Sequence, residues 1–579
     1  MSIYREAYPM PHRARLNAVR PCSALKEVLN EGYSIKYLYR DIMAGLTVGI
    51  IAIPLAMALA IASGVPPQYG LYTAAIAGIL IPLTGGSFYS VSGPTAAFVV
   101  ILYPVAQQYG LSGLLIASLM AGLVLVLMSI GRLGRLIEYI PEPVTLGFTS
   151  GIAVVIATLQ VKDFFGLSIE DLPENYIVKV STLVQQLPDY ASGELTVGIT
   201  TLAALVLWPR LKTPIPAYLP AVVVGVITSL LLGSGIETIG TRFHYQLPDG
   251  TMGSGIPSVL PKFVLPWHQP GPDGTPIQWN FDLIIALLPA AFSIAMLGAI
   301  ESLLCAVVLD GMSGRRHHSN GELLGQGIGN LIVPWFGGIT ATAAIARSSA
   351  NFRAGAVSPF AAVIHGFVVL LAILILARWL AYIPMASMAA MLLMVAWNMS
   401  EAHKVRMLIR QAPLGDIAVL AVCFMLTVIV DMVVAISFGV MLSALLFMRD
   451  IANMTRISDI SNNQKHVPQQ LPATWSVYKI SGPLFFAAAD RIFSELELTS
   501  HQDKGVVLYM DAVPILDAGG LTALKRFIYL KTQSGCQIYI ADLQFQPLKT
   551  IARSNIQPIE GQLTFTSTLS EAVESVLSN

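Results

Sequence analysis

Gly85-Gly86-Ser87-Phe88-Tyr89-Ser90-Val91-Ser92-Gly93-Pro94-Thr95 and Gly337-Gly338-Ile339-Thr340-Ala341-Thr342-Ala343-Ala344-Ile345-Ala346-Arg347-Ser348 break two long apolar runs with glycine, proline and hydroxyl residues. Thr95 follows Gly86 at the same interval as Arg347 follows Gly338. Matched, Gly/Pro-interrupted segments in the two halves of an apolar chain point to half-helices that start in mid-membrane and aim the positive ends of their dipoles at a bound anion. The second segment also carries an arginine, a residue that is costly in lipid without an anionic partner. The pair therefore reads as the substrate site of an anion carrier.

Composition agrees with a membrane setting. Hydrophobic residues make up 55% of 579 positions and charged residues only 12%, against about 25% charged in soluble domains. The net charge of +0 argues against nucleic acid as a partner and leaves no global field for steering. Cys22, Cys305, Cys423 and Cys536 lack CxxC spacing, so neither a disulfide framework nor a metal site is suggested. No cofactor motif, nucleophile–base pair or metal cluster is legible, which argues against an enzyme. Residues 1–40 are polar and basic, with Arg13, Arg15, Arg20, Lys26, Lys36 and Arg40 and no secretory signal; they read as a cytoplasmic lead-in.

From 41 to 455 apolar runs long enough to span a bilayer (about 20 residues) alternate with short polar breaks. The expected spans are 41–62, 68–84, 93–108, 112–131, 144–161, 195–209, 216–233, 283–308, 321–336, 344–355, 358–377, 380–396, 414–430 and 432–449. These are fourteen membrane segments in two sets of seven. Arg132/Arg135, Arg210/Lys212, Arg315/Arg316, Lys404/Arg406/Arg410 and Arg449 fall on one side if the amino terminus is cytoplasmic, as the positive-inside rule expects. Both termini are then cytoplasmic. Residues 456–472 read as a polar linker, and 473–579 as a small α/β domain. In it Trp475–Ile480, Gly505–Met510 and Gln537–Ala541 are expected strands, and Asp490–Leu498, Ala518–Lys531 and Pro547–Ser554 are expected helices. That domain has no glycine-rich nucleotide loop.

Glu301 lies inside the apolar run from Leu283 to Leu309. A charge at mid-span costs roughly 2.5–3.5 kcal/mol, which makes it a functional candidate: a proton carrier, or else a permanently protonated acid that hydrogen-bonds a neighbouring helix. Arg347 suits bidentate binding of a carboxylate or sulfate; the alternative is an anchor that snorkels to the interface. Ser92, Thr95, Thr342 and Ser348 would add hydroxyls. His365 reads as a packing histidine. Pro54, Pro82, Pro104, Pro289 and Pro384 mark kinks. Gly45, Gly49, Gly325 and Gly329 mark close helix contacts.

Gly64-Val65-Pro66-Pro67-Gln68-Tyr69-Gly70-Leu71-Tyr72, followed by Ser90-Val91-Ser92-Gly93-Pro94-Thr95, resembles the signature of the SulP family, the sulfate-permease-like anion transporters related to solute carrier family 26. The tail resembles the STAS domain of that family, Asp511–Leu521 matching its strand–turn–helix. Pro54 to Ala60, Glu301 to Gly311 and Ala396-Trp397-Asn398-Met399-Ser400-Glu401 resemble the bacterial DauA group of four-carbon dicarboxylate transporters.

The resemblance implies an α-helical membrane protein of 7+7 inverted repeats with core and gate subdomains, a cytoplasmic STAS domain, a homodimer in the bacterial inner membrane, and elevator-like movement. It implies an anion held by Ser92, Gly93, Thr95, Ala346, Arg347 and Ser348, with Glu301 facing it. The leading expectation is proton-coupled uptake of succinate, fumarate or aspartate. Sulfate or bicarbonate transport by the same scaffold, and a membrane sensor whose STAS domain recruits a cytosolic protein, are the alternatives. Sodium-coupled relatives carry hydroxyl side chains where this chain has Cys305 and Ile345, which favours the proton. Asp517-Ala518-Gly519-Gly520 lacks the phosphorylatable serine of bacterial STAS regulators.

Overall fold

The structure is a computed structural model that describes residues 19–135, 140–169, 172–173, 175–211, 213, 215–233, 235–246, 252–430, 432–500 and 502–578. Of the basic residues singled out above, Arg13, Arg15 and Lys212 lie outside the described residues. The chain divides into two compact units, Met1–Val440 and Met441–Asn579.

The first unit opens with α1 (Ser23–Asn30), α2 (Ile35–Ala62) and α3 (Pro67–Thr84), and a two-residue strand β1 (Ser92–Gly93) leads into α4 (Ala96–Ile130). Next come α5 (Glu142–Phe165), α6 (Tyr176–Gln186), α7 (Ser192–Leu207), α8 (Tyr218–Leu232), the single turn α9 (Ile239–Arg242) and a hairpin of β2 (His244–Gln246) and β3 (Met252–Ser254). The second half runs α10 (Phe281–Ser313), α11 (Ser319–Ile332), β4 (Thr342–Ala343), α12 (Ile345–Arg353), α13 (Phe360–Leu380), α14 (Met385–Met399), α15 (Ala402–Gln411), α16 (Leu414–Ile429) and α17 (Met432–Met454), within which the division between the units falls.

Each of the fourteen expected spans meets a helix. The expected pair 93–108 and 112–131 forms the two parts of α4, which meet at a kink at Gly110, whose φ of 62° is left-handed. The Gly271 backbone fills the space that a side chain at Gly110 would need. α2, α3, the two parts of α4, α5, α7 and α8 give seven segments, and α10–α14, α16 and α17 give the second seven. α1, α6 and α15 are short amphipathic helices in polar breaks, with no apolar run to mark them as spans. α2 starts at Ile35, before the expected 41, because Asp41 is buried rather than solvated. Its carboxylate accepts the Val357 and Ser358 amides at 2.7 and 3.2 Å, and Tyr33 Oη–H at 2.7 Å, and is also bonded by the Ser358 hydroxyl.

Packing sorts the helices into two groups. One contains α2, α3, α4, α10, α11 and α13; the other contains α5, α7, α8, α14 and α16. Glycines set the closest approaches in the first group. A Cβ at Gly78 would stand 2.9 Å from His365 Nδ1, and one at Gly366 would stand 2.6 Å from Ile79 Cγ1 and 2.7 Å from the Ala75 carbonyl oxygen. Gly45 and Gly49 meet α13, and Gly325 and Gly329 meet the Ile81–Gly85 stretch, in the same manner. His365 is fully buried in this seam. Leu231, Ile375 and Trp379 are exposed on the outer faces, as lipid contacts require.

The second unit holds a five-stranded sheet of β5 (Arg456–Asp459), β6 (Trp475–Ser481), β7 (Gly505–Ala512), β8 (Gln537–Ala541) and β9 (Leu563–Thr566), in that order. β6 to β9 are parallel, and β5 is an antiparallel edge strand. Its helices are α18 (Phe486–Thr499), α19 (Ala518–Gln533), α20 (Phe545–Arg553) and α21 (Leu569–Ser578). The expected linker 456–472 thus begins inside the sheet, since Arg456–Asp459 pairs with Tyr478–Ser481. An edge strand with one inward apolar residue leaves no alternating pattern to read. Asp517 caps α19, accepting Gly520 N–H at 2.7 Å, and also accepts Phe486 N–H at 3.1 Å. A side chain at Gly519 would stand 2.7 Å from Phe486 Cα.

The α3–α13 seam yields a stability prediction. Gly366→Leu forces an isobutyl group into a contact already closed to a methyl, and overpacking of this kind costs about 1–3 kcal/mol. The purified variant is expected to unfold several degrees below the parent in a thermal scan, and Gly235→Ala, whose Cβ meets open space, is expected to match the parent.

Candidate functional site

β1 and β4 pair antiparallel, Ser92 with Ala343 and Gly93 with Thr342. The ladder is two residues long, so α4 and α12 leave from its opposite ends and their amino termini stay close to the crossing. The first three amides of each helix have no carbonyl one turn back. Neither N-cap residue supplies a side-chain acceptor, Thr95 for α4 or Ala344 for α12. Thr95 Oγ1 instead donates to Glu301 Oε2 at 2.9 Å. Two uncapped, positively polarised helix ends thus meet beside one carboxylate, which is the arrangement an anion would complete.

The equal glycine spacing does not reflect equivalent positions. By helix start, Thr95 corresponds to Ala344, while Arg347 is the third residue of α12. The first crossing segment, 85–95, is longer than the second, 337–344, and absorbs the difference.

Arg347 is 2% exposed, which removes the reading as an interface anchor. It reaches back over the crossing, and its Nη2 donates to the Pro94 carbonyl at 2.6 Å. Nη1 and Nε have no hydrogen-bond partner. Gly93 leaves room for the guanidinium, for a Cβ there would stand 2.8 Å from Nη1. A cation in the first turn of a helix opposes the helix dipole, and a neutral carbonyl compensates only part of its charge. Glu301 lies within electrostatic range of Arg347 without a direct ion pair.

The two serines accept hydrogen bonds within the crossing. Ser92 Oγ accepts from Gln326 Nε2 at 3.1 Å, Ser348 Oγ accepts from Val91 N–H at 2.9 Å, and both residues are fully buried. They hold the crossing together, as does Asn351 Nδ2, which donates to the Tyr89 carbonyl at 3.0 Å. Thr342 Oγ1 donates to the Gly298 carbonyl at 3.0 Å, one turn before Glu301, and so binds β4 to α10. Ala346 is exposed at the start of α12. The structure brings Gly93, Thr95, Glu301, Ala346 and Arg347 together at the crossing, and Ser92 and Ser348 accept hydrogen bonds within it.

Sequence reading missed a polar ladder on α11. Glu322, Gln326 and Asn330 follow one another at a helical turn's spacing and are all buried. Glu322 Oε2 accepts the Gly86 and Ser87 amides at 3.1 and 2.9 Å, and its Oε1 accepts Gln326 Nε2 at 3.0 Å. Asn330 accepts Ala341 N–H and donates to the Ala341 carbonyl, each at 2.8 Å. The i, i+4 spacing of three amide or acid side chains in an apolar span was the available signal. Glu322→Ala strands two buried amides, each a loss of about 1–3 kcal/mol. Its purified protein is expected to show both a lower melting temperature and weaker substrate binding, because both crossing segments hang on this ladder.

Residues 38–423 match the sulfate permease family and residues 465–572 the STAS domain. YvdB of Bacillus subtilis (strain 168), which bears a sulfate transporter's name, is 38% identical over 528 residues, spanning 91% of this chain and 95% of YvdB. The transmembrane domain of a cyanobacterial bicarbonate transporter, BicA, is 28% identical with a TM-score of 0.60, covering 70% of this chain and 98% of that domain. The murine Slc26a9 anion transporter shares the fold at 19% identity, with a TM-score of 0.82 over 100% of this chain and 97% of its own. With a family match across most of its length and a close relative over nearly all of it, the chain belongs to the sulfate permease family and is an anion transporter of it, with a STAS domain at its carboxyl end.

Proposed function

We propose that the chain is a secondary active importer of small dianions that moves its substrate together with a proton carried on Glu301. Four-carbon dicarboxylates such as succinate, fumarate and aspartate are the proposed substrates. The observation that carries this reading is the buried guanidinium of Arg347, with two donor atoms free beside two uncapped helix ends. A carboxylate docked there gains a charge-assisted bond from a free guanidinium donor, Nη1 or Nε, and bonds from the amides of Ala96, Ala97, Ile345 and Ala346. Glu301 supplies the coupling: its carboxyl is next to the anion, and a proton on it removes like-charge repulsion while the substrate is aboard. Cys305 is fully buried and Ile345 is apolar, so the sodium-coordinating hydroxyls of sodium-coupled relatives are missing, which supports the proton as coupling ion.

Sulfate or bicarbonate in the same cradle is the second reading, supported by the names of YvdB and BicA. We further propose a homodimer in a bacterial inner membrane, both termini cytoplasmic, with the α2–α4, α10, α11 and α13 group moving as an elevator against the α5, α7, α8, α14 and α16 group. The deciding experiment is uptake of labelled succinate, sulfate and bicarbonate into liposomes, with and without an inward proton gradient. Succinate accumulation that requires the gradient is the expected result; gradient-independent uptake of sulfate alone would establish the second reading.

Glu301→Gln fixes the protonated form. It is expected to insert and to exchange substrate, yet to lose gradient-driven accumulation, so normal accumulation by this variant removes Glu301 from the coupling role. Arg347→Ala is expected to weaken substrate binding roughly tenfold or more, from a charge-assisted bond of about 1.5–3 kcal/mol. Arg347→Lys should recover only part of that, since an ammonium cannot make the two-pronged contact. Affinity within about twofold of the parent in Arg347→Ala would mean that helix dipoles alone hold the anion.

A further inference from the structure

α15 lies between α14 and α16 and carries two arginines in an unusual place. Ala402, Val405, Arg406, Ile409 and Arg410 fall on one face of the helix, and all five line a groove of about 380 Å³. Val154 of α5 and Phe424 of α16 form the opposite wall, and Ser150 Oγ closes the floor by donating to the Ser400 carbonyl at 2.9 Å. Lys404, on the opposite face, is neutralised by Glu401 at 2.5 Å. Arg406 and Arg410, one turn apart, have no hydrogen-bond or ion-pair partner among the described residues. The groove thus offers an apolar trough edged by two uncompensated cations.

We infer that this groove binds one anionic phospholipid, its phosphate between Arg406 and Arg410 and one acyl chain along Val154, Val405, Ile409 and Phe424. Charge and shape select this occupant together. A free phosphate would leave the apolar walls unused, and a zwitterionic lipid would bring a second cation up to the arginines. A chain that crosses the bilayer presents such a trough to lipid, and a basic residue near the headgroups attracts anionic lipid by about fivefold in affinity. Arginine forms bidentate contacts with phosphate, so two of them a turn apart fix one headgroup rather than a diffuse cloud.

The test uses the full-length protein in detergent, with a fluorescent phosphatidylglycerol displaced by dioleoylphosphatidylglycerol, dioleoylphosphatidylcholine, dihexanoylphosphatidylglycerol or inorganic phosphate. Phosphatidylglycerol is expected to compete at least tenfold better than phosphatidylcholine, and inorganic phosphate not at all. Joint Arg406→Gln and Arg410→Gln substitution is expected to weaken phosphatidylglycerol roughly 25-fold, about fivefold per charge. Lys404→Gln should change nothing. Ala402→Trp keeps both charges but fills the trough, so the dioleoyl and dihexanoyl lipids should then compete alike. Equal competition by the two dioleoyl lipids in the parent, or by inorganic phosphate, would overturn the inference. So would parent-like affinity in the double variant, or an equal loss in Lys404→Gln, which would mark diffuse attraction to a basic surface.

Discussion

Backbone amides that begin a helix inside a bilayer have no water to satisfy them, and in this protein two such helix starts are placed at the same point. The β1–β4 ladder is too short to satisfy more than its own residues. Neither Thr95 nor Ala344 caps its helix, and a buried arginine adds positive charge where the α12 dipole is already positive. The polar side chains around the crossing contain that concentration of positive potential.

Containment falls to α10 and α11. Glu322 takes the amides that follow Gly85, and Asn330 holds Ala341, so both crossing strands are fixed from one helix face. Glu301 and Gly298 meet the crossing from α10 through Thr95 and Thr342. The supports satisfy the strand amides they reach, while Gln326 Oε1, Asn351 Oδ1 and two guanidinium nitrogens of Arg347 have no hydrogen-bond partner. Donors fixed in this way are preorganised, which lowers the reorganisation that opposes binding of any partner.

The glycine seams serve the same centre at longer range. α3 carries the chain into the first crossing, and its contact with α13 at Gly78 and Gly366 brings backbones together without intervening side chains. In lipid, where apolar side chains gain little by leaving their surroundings, such close packing is a principal source of helix association. The second unit obeys the rules of water-soluble domains instead, with a mostly parallel sheet covered by helices and an apolar core of Ile480, Leu508, Phe527 and Ile540.

The amino-acid sequence alone determined the fourteen membrane segments, the two broken ones, the α/β tail and the identities of Glu301 and Arg347. Each rests on a local signal: hydropathy over a span, glycine and proline within one, or a charge in the wrong solvent. Tertiary structure decided the rest. It placed Arg347 three residues into α12 and not opposite Thr95, because loop length between glycine pair and helix start is invisible to spacing. It gave Ser92 and Ser348 a supporting role that the sequence does not show, accepting from Gln326 and Val91, partners from distant parts of the chain. It added Arg456–Asp459 to the sheet, a pairing set by a partner strand and not by its own pattern. The reason is common to all three: a residue's solvent cost is written in its neighbours along the chain, while its hydrogen-bond partner is chosen by the fold.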